Sequence, residues 1–280
     1  MNKYTIKLFF LLVLSWISVH GTAQQTPKDS IFFEILLDKG MLKPFQDVSF
    51  IPSIAITPER FILLSSPNQF YILGAGGMLP LSEKTEAPIH SFAKTPDNAI
   101  MLVRGSDFCF LDSSGKIVKL FGLPDDNMNI SAGKEVLYLY GKNSSTGKDV
   151  IYLLFKGGKY VSLLEYPTPI ASVLEINGGL FFSSKNKILL VDIASKQVNE
   201  LLSLPNEKDE IISMGDDYVQ GILYFSTNNA VYRVKDGRIE LVGDVGGILK
   251  YDGDGLLVFN PGKSMIVRFR NTILYPSEIK

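Results

Sequence analysis

Beyond residue 30, short apolar runs alternate with short polar segments along the rest of the chain. The apolar runs hold about five to seven residues and are rich in Val, Ile, Leu, Phe and Tyr, whereas Gly, Ser, Asn, Asp and Lys dominate the segments between them. Apolar residues do not recur at the spacing of a helix face. The pattern therefore predicts many short β-strands joined by tight turns.

These strands recur as a larger unit. An apolar strand, a polar turn and a second apolar strand return at residues 61–73, 99–111, 136–154, 180–191, 222–234 and 256–269. A further strand precedes the units, as at residues 172–175, and a tight turn with another strand follows them, as at Asp236 and Gly237. Four strands repeated about every forty residues are the signature of a β-propeller blade.

We therefore predict an all-β fold, a six-bladed β-propeller of four-stranded antiparallel blades that occupies residues 49–280. A two-sheet sandwich does not explain the regular period. Seven blades are the nearest alternative, because the N-terminal stretch and the last strand could build a partial extra blade. Within the N-terminal segment 24–48, we expect the apolar residues 31–37 to close the ring by pairing with the last blade, since uncovered sheet edges promote aggregation.

Residues 1–23 differ from the rest of the chain. Lys3 and Lys7 precede the apolar run 8–14, and Gly21, Thr22 and Ala23 place small residues before a cut at Gln24. This is the pattern of a cleaved secretory signal peptide, and the apolar run is shorter than the ~20 residues that span a bilayer. We expect an exported protein, periplasmic or extracellular, with no membrane span after cleavage.

The repeat unit allows a comparison with known families. Residues 222–242 resemble a blade of the broad six-bladed propeller group that includes the TolB-like, NHL-repeat and lactonase-like proteins. This group contains enzymes, binding modules and scaffolds, so the resemblance implies the fold rather than one activity. Lactonase-like members hold a catalytic metal in the central channel with Glu, Asn and Asp. Glu175 and Asn177 lie near a predicted inner strand, but the sequence reveals no matching aspartate.

Charge and composition limit the partners. The chain carries 28 Lys and Arg against 29 Asp and Glu, a formal net charge of −1. Nucleic acid binding requires a clustered positive surplus, so we expect no nucleic acid partner. The composition, 46% hydrophobic and 20% charged, is that of a globular protein.

The turns between the second and third strands of each unit are the predicted ligand-binding surface. In a propeller they open on the same face as the connections between blades, and here they are rich in hydroxyl, amide and Lys side chains. Such groups can bind a glycan or a peptide backbone, although Ser, Asn and Gly are also common in any turn. The predicted ligand-binding residues are Asn68, Arg104, Asn143, Lys185, Asn228 and Lys263.

Little else in the sequence points to catalysis. After cleavage one histidine, His90, and one cysteine, Cys109, are left; we expect both to be structural, and no cofactor. The acidic pairs Asp216-Asp217 and Asp252-Asp254 are predicted to lie in turns, where calcium is the one metal to consider. Asn129 and Asn143 begin short glycosylation patterns that arise readily by chance.

The favoured interpretation is an exported, non-catalytic propeller that binds an envelope or extracellular protein or glycan. A lactonase- or hydrolase-type enzyme with a metal in the channel is the main alternative. A structural subunit is a third, which predicts a broad apolar or aromatic patch, with Tyr138, Tyr140, Tyr152 and Tyr160 as its candidates.

Overall fold

The computed structural model describes residues 31–37, 53–57, 61–74, 77–217, 221–235, 237–251, 255–260, 262–263 and 265–271. The regular structure of these ranges is entirely β, and they contain no helix long and apolar enough to cross a membrane. The predicted leader 1–23 and the pair Asp252-Asp254 lie outside the described residues.

The strands form six four-stranded antiparallel sheets. Blade 1 contains β2 (Ile54–Ile56), β3 (Ile62–Ser66), β4 (Gln69–Gly74) and β5 (Gly77–Pro80). Blade 2 contains β6 (Ile89–Lys94), β7 (Ile100–Arg104), β8 (Asp107–Leu111) and β9 (Ile117–Gly122). Blade 3 contains β10 (Asn129–Ala132), β11 (Leu137–Lys142), β12 (Asp149–Leu154) and β13 (Tyr160–Tyr166). Blade 4 contains β14 (Ser172–Ile176), β15 (Gly179–Ser184), β16 (Lys187–Val191) and β17 (Val198–Ser203). Blade 5 contains β18 (Ser213–Asp217), β19 (Ile222–Ser226), β20 (Val231–Lys235) and β21 (Arg238–Gly243). Blade 6 contains β22 (Ile248–Tyr251), β23 (Leu256–Asn260), β24 (Met265–Asn271) and, from the other end of the chain, β1 (Ile31–Leu37).

The first strand of each blade lies innermost. Each inner strand contacts the inner strand of the next blade, and β22 contacts β2, so the six strands enclose a central channel. The predicted six-bladed β-propeller is confirmed. The seven-bladed alternative is wrong, because β1 and β24 belong to the same four-stranded blade and do not form a partial seventh blade.

The ring closes where the two ends of the chain meet. β1 pairs antiparallel with β24 as the outermost strand of blade 6, which is the pairing expected for residues 31–37. Glu34 of β1 lies 3.6 Å from Arg268 and 3.4 Å from Arg270 of β24. The pairing covers the edge that β24 would otherwise expose, so blade 6 has the same four strands as its neighbours.

The hydrophobic core is divided among the blade interfaces. Buried apolar side chains of the described residues form six clusters, each joining two adjacent blades, and the last joins blade 6 to blade 1. The cluster of blades 1 and 2, for example, contains Leu63 and Phe70 with Phe92 and Leu102. Because each sheet packs on both faces, a central strand such as β23 is buried along its whole length and loses strict alternation.

The outermost strands contain bulges or a proline that hinder pairing with strands of other molecules. In blades 2 to 6 the register shifts by one extra residue of the outermost strand, for example at Leu120 of β9 and Leu201 of β17. In blade 1 no such shift occurs in β5, but Pro80 stands at its end. Bulges and edge prolines interrupt the free hydrogen-bonding edge, so the rim is protected although residues such as Leu241 are exposed there.

The tyrosines of blade 3 do not form a surface patch. Tyr138, Tyr140 and Tyr152 are buried between blades, and Tyr160 alone of the four is exposed. The proposed aromatic docking patch is therefore wrong for these residues, because inward positions of β11 and β12 place them in the core.

Candidate functional site

The chain path places two kinds of loop on one face of the ring. Each inner strand runs away from the connection that enters the blade, and the second strand returns to the same side. The turns between second and third strands therefore share a face, here called the upper face, with the connections between blades. The turns after the inner strands open on the opposite, lower face.

The six predicted ligand-binding residues all lie at the upper face, one in each blade. Arg104 ends β7, and the other five stand in the turns that follow the second strands. Asn68, Lys185, Asn228 and Lys263 are exposed, whereas Arg104 and Asn143 are half-buried. The topology thus brings them to one face, and a ligand role for them stays a prediction.

Two of the cationic positions have local partners. The Arg104 guanidinium lies 3.6 Å from the carboxylate of Asp107, and its buried Nε has no hydrogen-bond partner. Lys263 Nζ donates to the carbonyl oxygen of Asp244 at 3.1 Å. The exposed positions of the other blades are better placed to contact a large ligand.

The upper turns also anchor the connections between blades. The backbone amides of Ile89, Asn127 and Ile211 donate to the carbonyl oxygens of Pro67, Gly105 and Lys185. The three donors stand at the ends of the connections that enter blades 2, 3 and 5. These backbone groups are therefore engaged within the fold. A ligand on this face would be recognised mainly by side chains, held on a rigid backbone.

The longest upper turn, residues 143–148, is held by a buried carboxylate. Asp125 accepts hydrogen bonds from the backbone amide and the hydroxyl of Ser144, at 2.8 and 2.7 Å, and from the Tyr152 hydroxyl at 3.1 Å. Asn143 caps the same turn by accepting from the amides of Ser145 and Thr146. Burial, followed by the charge of Asp125, raises the pKa of Tyr152 to about 12. The network positions this turn before any ligand binds.

Both glycosylation patterns are engaged in structure. Asn143 uses its side-chain oxygen for the cap and donates its amide to Tyr152 at 3.3 Å. Asn129 lies half-buried on the inner strand β10. Neither side chain is presented as a free loop asparagine.

Hydroxyl groups join the inner strands of successive blades. Ser53, Ser91, Ser172 and Ser213 accept hydrogen bonds from the backbone amides of Phe92, Ile130, Met214 and Leu249, respectively. At the interface of blades 3 and 4 the Tyr140 hydroxyl takes this place, with a hydrogen bond to the backbone of Val173. The hydroxyls near the upper end of the channel therefore serve the ring itself.

The lower end of the channel is charged. Lys94 of β6, Asp216 of β18 and Lys250 of β22 are half-buried, and the charges of Lys94 and Asp216 both act on Lys250. Burial lowers the pKa of Lys250, and the negative charge of Asp216 raises it. Burial raises the pKa of Asp216, and the positive charge of Lys250 lowers it. The prediction that Asp216 and Asp217 form a turn is wrong, because they are the last two residues of an inner strand.

The charged residues of the channel were not among the predicted site residues. A usable signal was present, since Lys94 and Lys250 are the polar ends of short apolar runs that were assigned to inner strands. An inner strand has its edge on the channel, so a charged residue there is more informative than one in a turn.

Glu175 of β14 serves the interface with blade 3. Its Oε2 accepts hydrogen bonds from the Tyr138 hydroxyl at 2.9 Å and from the amide of Lys134 at 3.2 Å. Gly133 permits this approach, because a Cβ at that position would clash with the carboxylate. Asn177 lies in the lower-face turn after β14 with a φ of 51° and is exposed. The two residues considered as ligands of a lactonase metal therefore have different environments: Glu175 holds the interface of blades 3 and 4, and Asn177 is exposed in a lower-face turn.

The described residues contain no group of three or more His, Cys, Asp or Glu side chains placed to hold a metal. His90 is half-buried, and burial lowers its pKa. Cys109 is buried, and burial raises the pKa of its thiol. Neither environment activates the side chain as a base or nucleophile.

Comparison with known proteins identifies the fold alone. No family model and no curated protein matches the chain. A gluconolactonase from Xanthomonas campestris superimposes with a TM-score of 0.64 at 12% identity, over 81% of this chain and 88% of that one. A luciferin-regenerating enzyme gives 0.66 at 10% identity, over 87% and 96%. An extracellular domain from B. thetaiotaomicron gives 0.55 at 12% identity, over 85% of this chain and 39% of that one.

The chain therefore has the six-bladed propeller fold found in gluconolactonase-like enzymes and in an extracellular domain, as its repeat pattern indicated. At this level of identity the neighbours do not assign an activity.

Proposed function

We propose that this protein is an exported, non-catalytic propeller that binds a protein or glycan in the periplasm or at the cell surface. The observation that carries the proposal is the upper face, where each blade contributes one polar or cationic side chain at the end of its second strand or in the turn that follows. In blades 1, 2 and 4 a backbone hydrogen bond joins this turn to the next connection. Export rests on the leader pattern of residues 1–23 and agrees with the extracellular location of one structural neighbour.

The chemistry of the face fits a polar partner. Asn68 and Asn228 offer amide donors and acceptors, and Lys185 offers an ammonium donor, all three exposed. Amides pair with sugar hydroxyls or peptide backbone groups, and Lys pairs with acidic groups. The rigid turn 143–148 reduces the entropy lost on binding, because it is already ordered by Asp125.

A lactonase-type enzyme is the second candidate, favoured by the likeness to a gluconolactonase. The described residues do not fit the metal that such a site needs. Glu175 accepts hydrogen bonds from Tyr138 and Lys134, and Asn177 lies in a lower-face turn. Asp216 interacts electrostatically with Lys250. We therefore derive no reaction from this likeness.

A binding experiment on the upper face tests the proposal. The mature protein from Gln24 is screened against a glycan array and against envelope extract, and the affinity for the ligand found is measured by calorimetry. We expect the combined variant N68A/K185A/N228A to weaken binding about tenfold or more, since each lost hydrogen bond contributes about 0.5–1.5 kcal/mol. The matched control is N177A, an exposed asparagine on the lower face, which should leave affinity unchanged.

Two results would count against the proposal. Equal affinity of the triple variant and the wild-type protein would remove the upper face as the binding surface. Turnover of lactone or ester substrates that depends on added calcium, and that the upper-face variant leaves intact, would favour the enzyme.

A further inference from the structure

Two lysines approach the inner strand of blade 1 from its two neighbours. On β6, Phe92 packs with Ala55 and Leu63 of blade 1, and Lys94, two residues further, faces the same side because strand side chains alternate. On β22, Leu249 packs with Tyr224 and other residues of blade 5. The next residue, Lys250, therefore faces the opposite side, toward blade 1.

In the part of the chain that the structure describes, no ion pair neutralises either lysine. Lys94 Nζ donates to the neutral Oδ1 of Asn98 at 3.0 Å. Among the described residues, neither lysine lies within ion-pair distance of a carboxylate, although Asp216 is close enough to Lys250 to interact electrostatically. Between the lysines, β2 offers Ala55 and Ile56, which carry no charge.

We propose that the lower end of the channel binds an anionic group, a carboxylate or a phosphate, between Lys94 and Lys250. Among the described residues, Asp216 is the one carboxylate whose charge acts on Lys250, so the two ammonium groups outweigh it in this half-buried site. Burying unpaired charge is unfavourable, and a bound oxyanion offsets that penalty by accepting hydrogen bonds from both lysines. The charge of Asp216, which acts on Lys250, competes with the anion for this lysine.

Burial and the neighbouring charge of Lys94 both lower the pKa of Lys250, whereas Asp216 opposes them. A bound anion would oppose them in the same way, which agrees with a site that favours an anion. This site lies at the opposite end of the channel from the upper-face turns, so it is independent of the function proposed above.

The probes are inorganic phosphate and acetate, each compared with chloride at constant ionic strength. We expect at least one of them to raise the unfolding midpoint of the wild-type protein by mass action. The same anion should slow acylation of Lys94 and Lys250 by an amine-reactive reagent, read by mass spectrometry. A response to phosphate alone identifies a phosphate-bearing ligand, and a response to acetate identifies a carboxylate.

The variants separate binding from a structural role. K94M and K250M should weaken anion binding about tenfold or more, the loss expected for a hydrogen bond to a charged group. D216N should strengthen binding, because it removes the competing carboxylate, and K148M, on the upper face, should leave it unchanged. If K250M does not fold, K94M and D216N decide the question. Equal midpoints and equal acylation with and without both anions, or unchanged binding in K94M, would overturn the proposal.

Discussion

The Ser172 hydroxyl accepts a hydrogen bond of 3.1 Å from the backbone amide of Met214, so a side chain of blade 4 holds the inner strand of blade 5. Both residues are buried. Without the hydroxyl, the Met214 amide would be buried with no acceptor. The free-energy cost of such an unsatisfied buried donor is larger than the net contribution of a typical hydrogen bond.

Replacement of Ser172 by Ala should therefore destabilise the protein by about 1–3 kcal/mol. The free energy of unfolding is measured by denaturant titration, with Ser113→Ala in an exposed turn as the control. If both alanine variants unfold at the same denaturant concentration as the wild-type protein, the inner-strand hydroxyls do not stabilise the ring.

Replacement of Asp125 by Asn should loosen the turn 143–148. The carboxylate accepts from Ser144 and Tyr152 inside the protein, and an amide has one acceptor oxygen where the carboxylate has two. Hydrogen–deuterium exchange of the turn amides should accelerate about tenfold or more, in line with loss of a hydrogen bond to a charged group. Asp126→Asn is the matched control, because Asp126 is the exposed neighbour. Equal exchange in the two variants would show that the turn is ordered without Asp125.

The stability of the protein should fall on the alkaline side between about pH 10 and 12. The pKa of Tyr152 is raised from 10.0 to about 12, chiefly by burial. In the unfolded chain the phenol ionises first, so its contribution is present below pH 10 and is lost as pH rises toward the folded value. Unfolding titrations of wild-type and Y152F proteins should converge as pH increases, because Phe does not ionise. Parallel curves would contradict this assignment.

Replacement of Pro80 by Val should promote self-association. Pro80 pairs with Tyr71 at the edge of blade 1, where β5 has no bulge, and the exposed Leu79 precedes it. Valine restores an N–H at the outer edge, and its β-branched side chain favours strand pairing. Light scattering should show a rise in apparent mass with concentration for P80V. The control is P205V, in the exposed connection between blades 4 and 5. A monomeric P80V protein would mean that other features protect this edge.

The repeat itself contained most of the information about the fold. Strand, turn and strand recur because each blade needs the same four-stranded sheet, and a periodic local pattern can be recognised without knowledge of distant contacts. Even the ring closure by residues 31–37 followed from this pattern, since one apolar stretch had no partner in sequence. The upper-face positions were also accessible, because chain direction alone decides on which side a turn opens.

Side-chain partners across blades could not be obtained in this way. Glu175 contacts Tyr138, and Asp125 contacts Tyr152. Lys94 and Lys250, on either side of blade 1, interact electrostatically. The sequence predicted a turn at Asp216 and Asp217, because acidic residues are common in turns. In the structure they end strand β18, since blade 5 packs against its neighbours there.

The sequence by itself therefore determined the number of blades, the order of strands and the face on which each turn lies, since these depend on local periodicity and chain direction. Only the tertiary structure decided which polar groups are engaged in the ring and which charges meet in the channel. Those contacts join residues far apart in the sequence, 27 positions for Asp125 and Tyr152 and 37 positions for Tyr138 and Glu175. Their strength depends on burial and distance, which exist only once the six sheets have closed.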